Sequence, residues 1–168
     1  MRRRTVTLVV VVLVQLALVG VAVAPRLSAR VLGEEYLLRV GPVDPVDPFR
    51  GAYVDLSYPG LQPEWQSRRG TRDDAHPGGD RGRLYVEVED TGGLLDPTGF
   101  TRERPTEGLY LTCDDSDWQV RCGIESLFLP QEDALAAQEQ LGRGDGEVFA
   151  RILLDGRGNA MVVGLEER

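Results

Sequence analysis

An apolar run near the amino terminus limits what this chain can fold into more than any other feature does. The run extends from Thr5 to Ala24, and Gln15 is its only strongly polar residue. Twenty residues in an α-helix span about 30 Å, which is the thickness of one hydrocarbon core. Valine is the commonest residue in the run and suits a buried strand, but strands of this length are rare. The run therefore predicts a single transmembrane helix.

The charges on either side of this run predict its orientation. Three arginines at positions 2–4 precede it, whereas Arg26 and Arg30 follow it. Because basic residues are retained on the cytoplasmic side, the amino terminus is predicted to be cytoplasmic and the rest of the chain extracytoplasmic. The predicted location is the cell (plasma or inner) membrane.

The residues at the end of the apolar run bear on whether a signal peptidase cleaves this segment from the mature protein. Ala22-Val23-Ala24 resembles a signal peptidase site, but Pro25 would then be the first mature residue, which disfavours cleavage. We expect residues 1–25 to remain as a transmembrane signal anchor, followed by a juxtamembrane stalk over residues 26–33. Cleavage after Ala24 is the alternative.

The charge of the remaining chain excludes one class of partner. All 19 basic residues are arginine, and there are 27 acidic residues. Without the three leading arginines, sixteen remain against 27, a net charge of about −11. A domain of this charge is predicted not to bind nucleic acid and to be repelled by anionic lipid.

The strongest local signal beyond the stalk is the stretch Asp44–Tyr58. Two Asp-Pro pairs, at 44–45 and 47–48, favour turns because proline fixes φ and a short Asp side chain can bond nearby backbone. Residues 52–58 then alternate with period two, which predicts a half-buried strand with Val54 and Leu56 in the core. Pro59-Gly60 ends the strand.

The same stretch resembles the signature of the bacterial GDYXXLXY family, which is named for its motif. Gly51, Tyr53, Leu56 and Tyr58 match the motif, whereas Ala52 stands where the family has Asp. The resemblance implies a small membrane-anchored protein of unknown function, of a kind often encoded beside polytopic membrane proteins. Our interpretation of the four matching residues is structural, and a binding role is the alternative.

The rest of the chain predicts a mainly β (α+β) fold. The transmembrane helix is followed by a compact antiparallel β-sheet or barrel-like domain over residues 34–168, with one short helix at Gln131–Leu141. Residues 59–82 are predicted to be a flexible, exposed loop, and residues 90–106 a second polar connection. The remaining predicted strands are Glu35–Val40, Arg83–Glu89, Gly108–Cys113, Trp118–Phe128, Glu147–Leu154 and Ala160–Leu165, the last two forming a hairpin.

Cys113 and Cys122 are the only cysteines. They flank a predicted tight turn at 114–117, so they can face each other across it. In an exported domain such a pair most often forms a disulfide, which we predict here. Free thiols are the alternative.

No catalytic set is evident. The chain has no lysine, so a serine–lysine dyad is impossible. His76 is the only histidine and lies in the loop; its acidic neighbours, Asp73 and Asp74, are more consistent with a solvated segment than with a metal site. The acidic turn at 114–117 lacks the glycine and terminal Glu of a calcium loop. We therefore predict no catalytic residue, no metal and no cofactor.

These observations predict a non-catalytic accessory or interaction subunit of a membrane protein complex, with a polytopic membrane protein as its partner. The first alternative is an extracytoplasmic module that binds envelope glycan or a small molecule through Tyr53, Tyr58, Trp65 or Trp118. A hydrolase that uses carboxylates is the remaining alternative.

Overall fold

A computed structural model describes residues 2–41, 53–63, 81–117, 119–128 and 147–167. Three features predicted above lie outside these residues: the two Asp-Pro turns, Gly51 and the helix at Gln131–Leu141. His76, Trp65 and Trp118 lie outside them as well.

The chain begins with one long helix, α1, at Arg2–Leu32. The helix continues through Pro25, although a proline inside a helix removes one backbone hydrogen bond. Its segment Val6–Leu32 is, by length and composition, apolar enough to cross a membrane. The helix ends at Gly33, whose N–H donates to the Ala29 carbonyl at 2.9 Å.

Antiparallel strands make up most of the described chain after this helix, so the predicted mainly β fold is confirmed. The strands are β1 Glu34–Arg39, β2 Tyr53–Asp55, β3 Arg83–Asp90, β4 Leu95–Thr101, β5 Leu109–Asp114, β6 Ser126–Phe128, β7 Val148–Leu154 and β8 Ala160–Glu167. They form three sheets, with strand orders β1–β7–β8, β2–β6 and β4–β3–β5. A 3-10 turn at Pro59–Leu61 follows β2.

One hydrophobic core joins the three sheets. Alternate residues of each long strand enter it, as the period-two pattern requires. Val54 and Leu56, both predicted to be core residues, belong to it. From β3 it receives Leu84, Val86 and Val88, and from β7 it receives Val148, Ala150, Ile152 and Leu154. We refer to residues 34–167, within the described ranges, as the β domain.

The prediction that residues 90–106 form a polar connection is wrong, because they contain β4. This strand pairs with β3 despite Pro97 and Gly99, which disfavour strands in isolation. Two features of its position allow it. β4 is an edge strand, where a missing N–H costs little, and a register shift beside Glu87 and Val88 accommodates the extra residue.

Two further boundaries differ from prediction. Within the described residues 119–128, only β6 is a strand, and it pairs with β2 rather than with β5. Asp114 and Arg121 form only an isolated antiparallel bridge. Residues 59–82 were predicted to be an exposed loop, but Leu61 and Pro63 within this range are buried. Residues 64–80 of that loop lie outside the described chain.

Candidate functional site

The motif strand is part of the core. Leu56 is 4% exposed, and its backbone N–H donates to the carbonyl of Glu125 at 2.7 Å. Tyr58 is 3% exposed, and its hydroxyl donates to the carbonyl of Ile124 at 2.9 Å. Burial, with a contribution from the nearby charge of Glu125, raises the pKa of the Tyr58 phenol. Two motif residues therefore fasten β2 to the segment that precedes β6.

The segment before β6 is held by a side chain as well as by this backbone pairing. The carboxylate of Glu125 accepts hydrogen bonds from the backbone N–H groups of Cys122 and Gly123. Gly123 has a φ of +80°, a conformation that side chains disfavour. The motif strand thus packs against a turn that the Glu125 carboxylate holds through two backbone N–H groups.

The burial of the motif residues bears on whether their role is structural or in binding. Tyr58 is buried and its hydroxyl is bonded within the core, which favours the structural interpretation of this residue over stacking on a ligand. The backbone of Tyr53 pairs with Phe128 in the β2–β6 ladder. The side chain of Tyr53, like Gly51, lies outside the described part of the structure.

The predicted disulfide is present. Cys113 and Cys122 are bonded, with a sequence separation of 9, and both belong to the hydrophobic core. Inside the loop that they close, Asp114 and Arg121 exchange two backbone hydrogen bonds of 2.8 Å. The disulfide joins the end of β5 to the turn that receives the motif strand.

The acidic turn contains a buried ion pair that sequence reasoning missed. Asp115 is 1% exposed and accepts two hydrogen bonds from the guanidinium of Arg102, at 3.0 and 2.5 Å. It also accepts one from the N–H of Gly82 at 2.8 Å. A buried carboxylate held in this way has a structural role, because breaking such a pair leaves an uncompensated charge.

A second buried carboxylate joins helix α1 to the β domain. Asp155 opens the turn between β7 and β8 and is 4% exposed. It accepts hydrogen bonds from the N–H groups of Arg157 and Asn159 at 2.9 Å and from the Asn159 amide at 2.8 Å. Its fourth donor is the hydroxyl of Ser28 in α1, at 2.5 Å. We call the contact between α1 and this turn, Asp155–Asn159, the helix–hairpin junction.

Packing around the junction is close. Ala29, next to Ser28, is 0% exposed, although the large apolar side chains of α1 are exposed. At Gly33, a Cβ atom would lie 3.1 Å from Leu153 of β7 and 2.2 Å from the Ala29 carbonyl. Small residues at the end of the helix therefore allow it to approach the β7–β8 hairpin.

The same turn also contacts the β4–β3–β5 sheet. The N–H of Thr112 in β5 donates to the Gly158 carbonyl at 2.8 Å. Gly158 has a φ of +79°, and a Cβ atom there would lie 2.5 Å from the ring of Tyr110. One five-residue turn therefore contacts α1, its own sheet and a second sheet.

The charge of Asp155 is stabilised where it lies. Burial alone would raise the pKa of this carboxyl group, since it disfavours the charged form. The hydrogen bonds from Ser28, Asn159 and the Arg157 N–H act in the opposite sense, and the net result is a lowered pKa. The junction is therefore built around an ionised carboxylate at neutral pH.

Among the described residues, no group of three or more His, Cys, Asp or Glu side chains could hold a metal ion. The contacts at the helix–hairpin junction hold α1 in a fixed position against the β domain. The junction fixes the end of α1 against the β7–β8 hairpin by a charge-assisted hydrogen bond and close packing. Asp155 was predictable as the first residue of a hairpin turn, but its contact with Ser28 was not.

The fold and the junction define a class of protein: a single N-terminal apolar helix attached to a small, disulfide-bonded, mainly β domain. Residues 15–165 match the family model described as GDYXXLXY protein, and the chain belongs to this family. The family is uncharacterised. No curated protein and no solved structure shows a significant match to the chain.

Proposed function

We propose that the protein is a single-pass membrane protein that acts as a non-catalytic accessory subunit of a membrane protein complex. Its helix crosses the cell membrane with the amino terminus in the cytoplasm, and its β domain lies on the extracytoplasmic side. The partner is a polytopic membrane protein, which binds one or both of these parts.

The helix–hairpin junction is the observation that carries this proposal. A helix that serves only as a tether needs no defined contact with its domain, and a flexible linker would suffice. Here Ser28 and Ala29 attach the helix directly to the β domain, while the large apolar side chains from Val6 to Leu32 remain exposed. Such a protein presents a membrane-facing surface and an aqueous surface in a fixed relation, which suits a subunit that contacts a partner in both environments.

The charge pattern supports the orientation. The amino-terminal arginines favour the cytoplasm. The disulfide between Cys113 and Cys122 is of the kind that persists in oxidising compartments outside the cytosol. The non-catalytic part of the proposal draws on the motif residues Leu56 and Tyr58, which are used for packing inside the core.

Affinity purification of the intact tagged protein from its native membrane, in a mild detergent, tests the proposal. Mass spectrometry of the eluate is expected to find a polytopic membrane protein in a stoichiometric amount. The control is the same purification from cells with an untagged copy. Recovery of the protein alone, from membranes extracted both with and without prior chemical crosslinking, would contradict an accessory role.

A further inference from the structure

Gln15 is a polar residue at the middle of the apolar run of α1. It lies halfway between Thr5 and Ala24, with about 15 Å of helix on either side. That distance exceeds the reach of its side chain, so the carboxamide cannot extend to the headgroup region. The side chain is exposed on the surface of α1.

A carboxamide in hydrocarbon requires hydrogen-bond partners. It offers two N–H donors and an acceptor oxygen, and burial without partners is costly. The other polar residue of this segment for which a bond is described, Thr7, donates to its own helix backbone at Arg3, at 3.0 Å. Within the described chain, Gln15 has no hydrogen-bond partner of this kind. Its partner must therefore come from outside the molecule.

We propose that Gln15 marks the contact between α1 and a transmembrane helix of a different membrane protein, which presents a hydrogen-bonding side chain at the same depth. This inference rests on the proposed function and names the surface of the helix through which the complex forms. A polar side chain at the centre of a transmembrane helix has few other uses, since it weakens insertion.

The helix face around Gln15 fits another helix. Residues three, four and seven positions away lie on the same side of an α-helix, at the spacing found in packed helix pairs. On this face they are apolar, and one of them is small, which lets two helix backbones come close. The contact face consists of Leu8, Val11, Gln15, Leu18 and Ala22, all of them exposed in the structure.

A second copy of this chain is the other candidate for the contact, and its charge argues against it. Two parallel copies would bring together two β domains, each with a net charge of about −11 after the leading arginines. Like charges at this density repel and oppose close association. A helix of another protein meets no such penalty.

Substitutions at Gln15 separate the hydrogen bond from the apolar packing. Gln15→Leu keeps the size and increases the hydrophobicity of the helix, so membrane insertion is preserved. Gln15→Asn keeps the carboxamide. Thr7→Val is the matched control, because Thr7 is a polar residue of the same helix that bonds to its own backbone.

The readout is the amount of partner recovered per copy of tagged protein from the native membrane. We expect Gln15→Leu to lower it about five-fold, and Gln15→Asn and Thr7→Val to leave it within two-fold of the wild type. A photo-crosslinking residue at Leu18, on the contact face, is expected to give a product with the partner. The same residue at Leu13, on the opposite face, is expected to give none.

The possible failures are distinguishable. If the wild type recovers a partner and Gln15→Leu recovers as much, the inference is wrong although the proposed function stands. If the wild type recovers none, both are wrong. A Leu18 crosslink only to a second copy of the chain would also overturn the inference, in favour of self-association.

Discussion

Tyr58 is a motif residue that contributes a buried hydrogen bond to the fold. Its hydroxyl donates to the Ile124 carbonyl inside the core. Tyr58→Phe removes that bond and leaves a buried carbonyl without it, so we expect a loss of about 1–2 kcal/mol in the free energy of unfolding. Urea denaturation of the protein in detergent measures this loss.

Tyr36 provides the control for this prediction. Its hydroxyl also donates, at 2.8 Å, but to the exposed carboxylate of Glu34, which water can solvate once the bond is lost. We therefore expect Tyr36→Phe to cost less than about 0.5 kcal/mol. Equal losses for the two variants would mean that the Tyr58 hydrogen bond has no special role in the core.

Asp155 is predicted to make stability depend on acid pH. Its pKa is lower in the folded protein than in the unfolded chain. Its stabilising effect is therefore fully present above the unfolded pKa of about 4, and is lost as the pH falls below that value toward the folded pKa.

Melting temperatures measured from pH 7 to pH 3 test this prediction. We expect Asp155→Asn to be less stable than the wild type at pH 7 and the difference to shrink below about pH 4. A difference that stays constant over this range would show that Asp155 acts through its shape and neutral hydrogen bonds rather than through its charge.

At the scale of elements, the β7–β8 turn is constrained by both its backbone conformation and its packing. Gly158 combines a φ of +79° with a close approach to Tyr110. Gly158→Ala is expected to cost more than about 1 kcal/mol, because it adds backbone strain to a steric clash.

Gly156 lies two residues away in the same turn and is the matched control, because a Cβ atom there would meet nothing within 4 Å. Gly156→Ala is expected to change the free energy of unfolding by less than about 0.5 kcal/mol. Chemical denaturation of both variants makes the comparison, and a similar effect at the two positions would contradict the assigned packing of Gly158.

The elements also show what the sequence could predict. β3, β7 and β8 were predicted within one or two residues because their apolar residues alternate and enter a shared core. β4 was missed because Asp96, Pro97 and Gly99 carry no strand signal of their own, and the strand forms only because β3 provides an edge. The disulfide was predictable because its two residues flank a short turn.

The contacts that form the candidate site join residues that are distant in the sequence. Ser28 and Asp155 are separated by 127 positions, and Arg102 pairs with an aspartate in a different segment. No local sequence pattern predicts such pairs, because each residue by itself is typical of a polar residue on the surface. They become visible only when the fold brings the segments together, so sequence reasoning predicted the fold class but not the junction.

For the whole molecule, the junction makes helix and β domain one mechanical unit. Asp155 links α1 to the β7–β8 hairpin, and Gly158 links that hairpin to β5. A tilt or rotation of α1 would thus move two of the three sheets with it. The accessory role proposed above uses this property, because a contact made by α1 in the bilayer would then be transmitted to the β domain.

The last prediction concerns this coupling. Spin labels at Val21→Cys in the exposed helix and at Thr106→Cys in the exposed part of the β domain report the distance between the two in lipid nanodiscs. We expect a single narrow distance distribution for the otherwise unchanged protein.

The double variant Ser28→Ala, Ala29→Leu removes the hydrogen bond to Asp155 and adds bulk where no space exists, so it is expected to broaden the distribution. Ala17→Leu makes the same addition at an exposed helix position and should leave it narrow. A distribution that stays narrow in the double variant would mean that the junction does not fix the domain, and that α1 and β1 are held in line by the short connection at Gly33 alone.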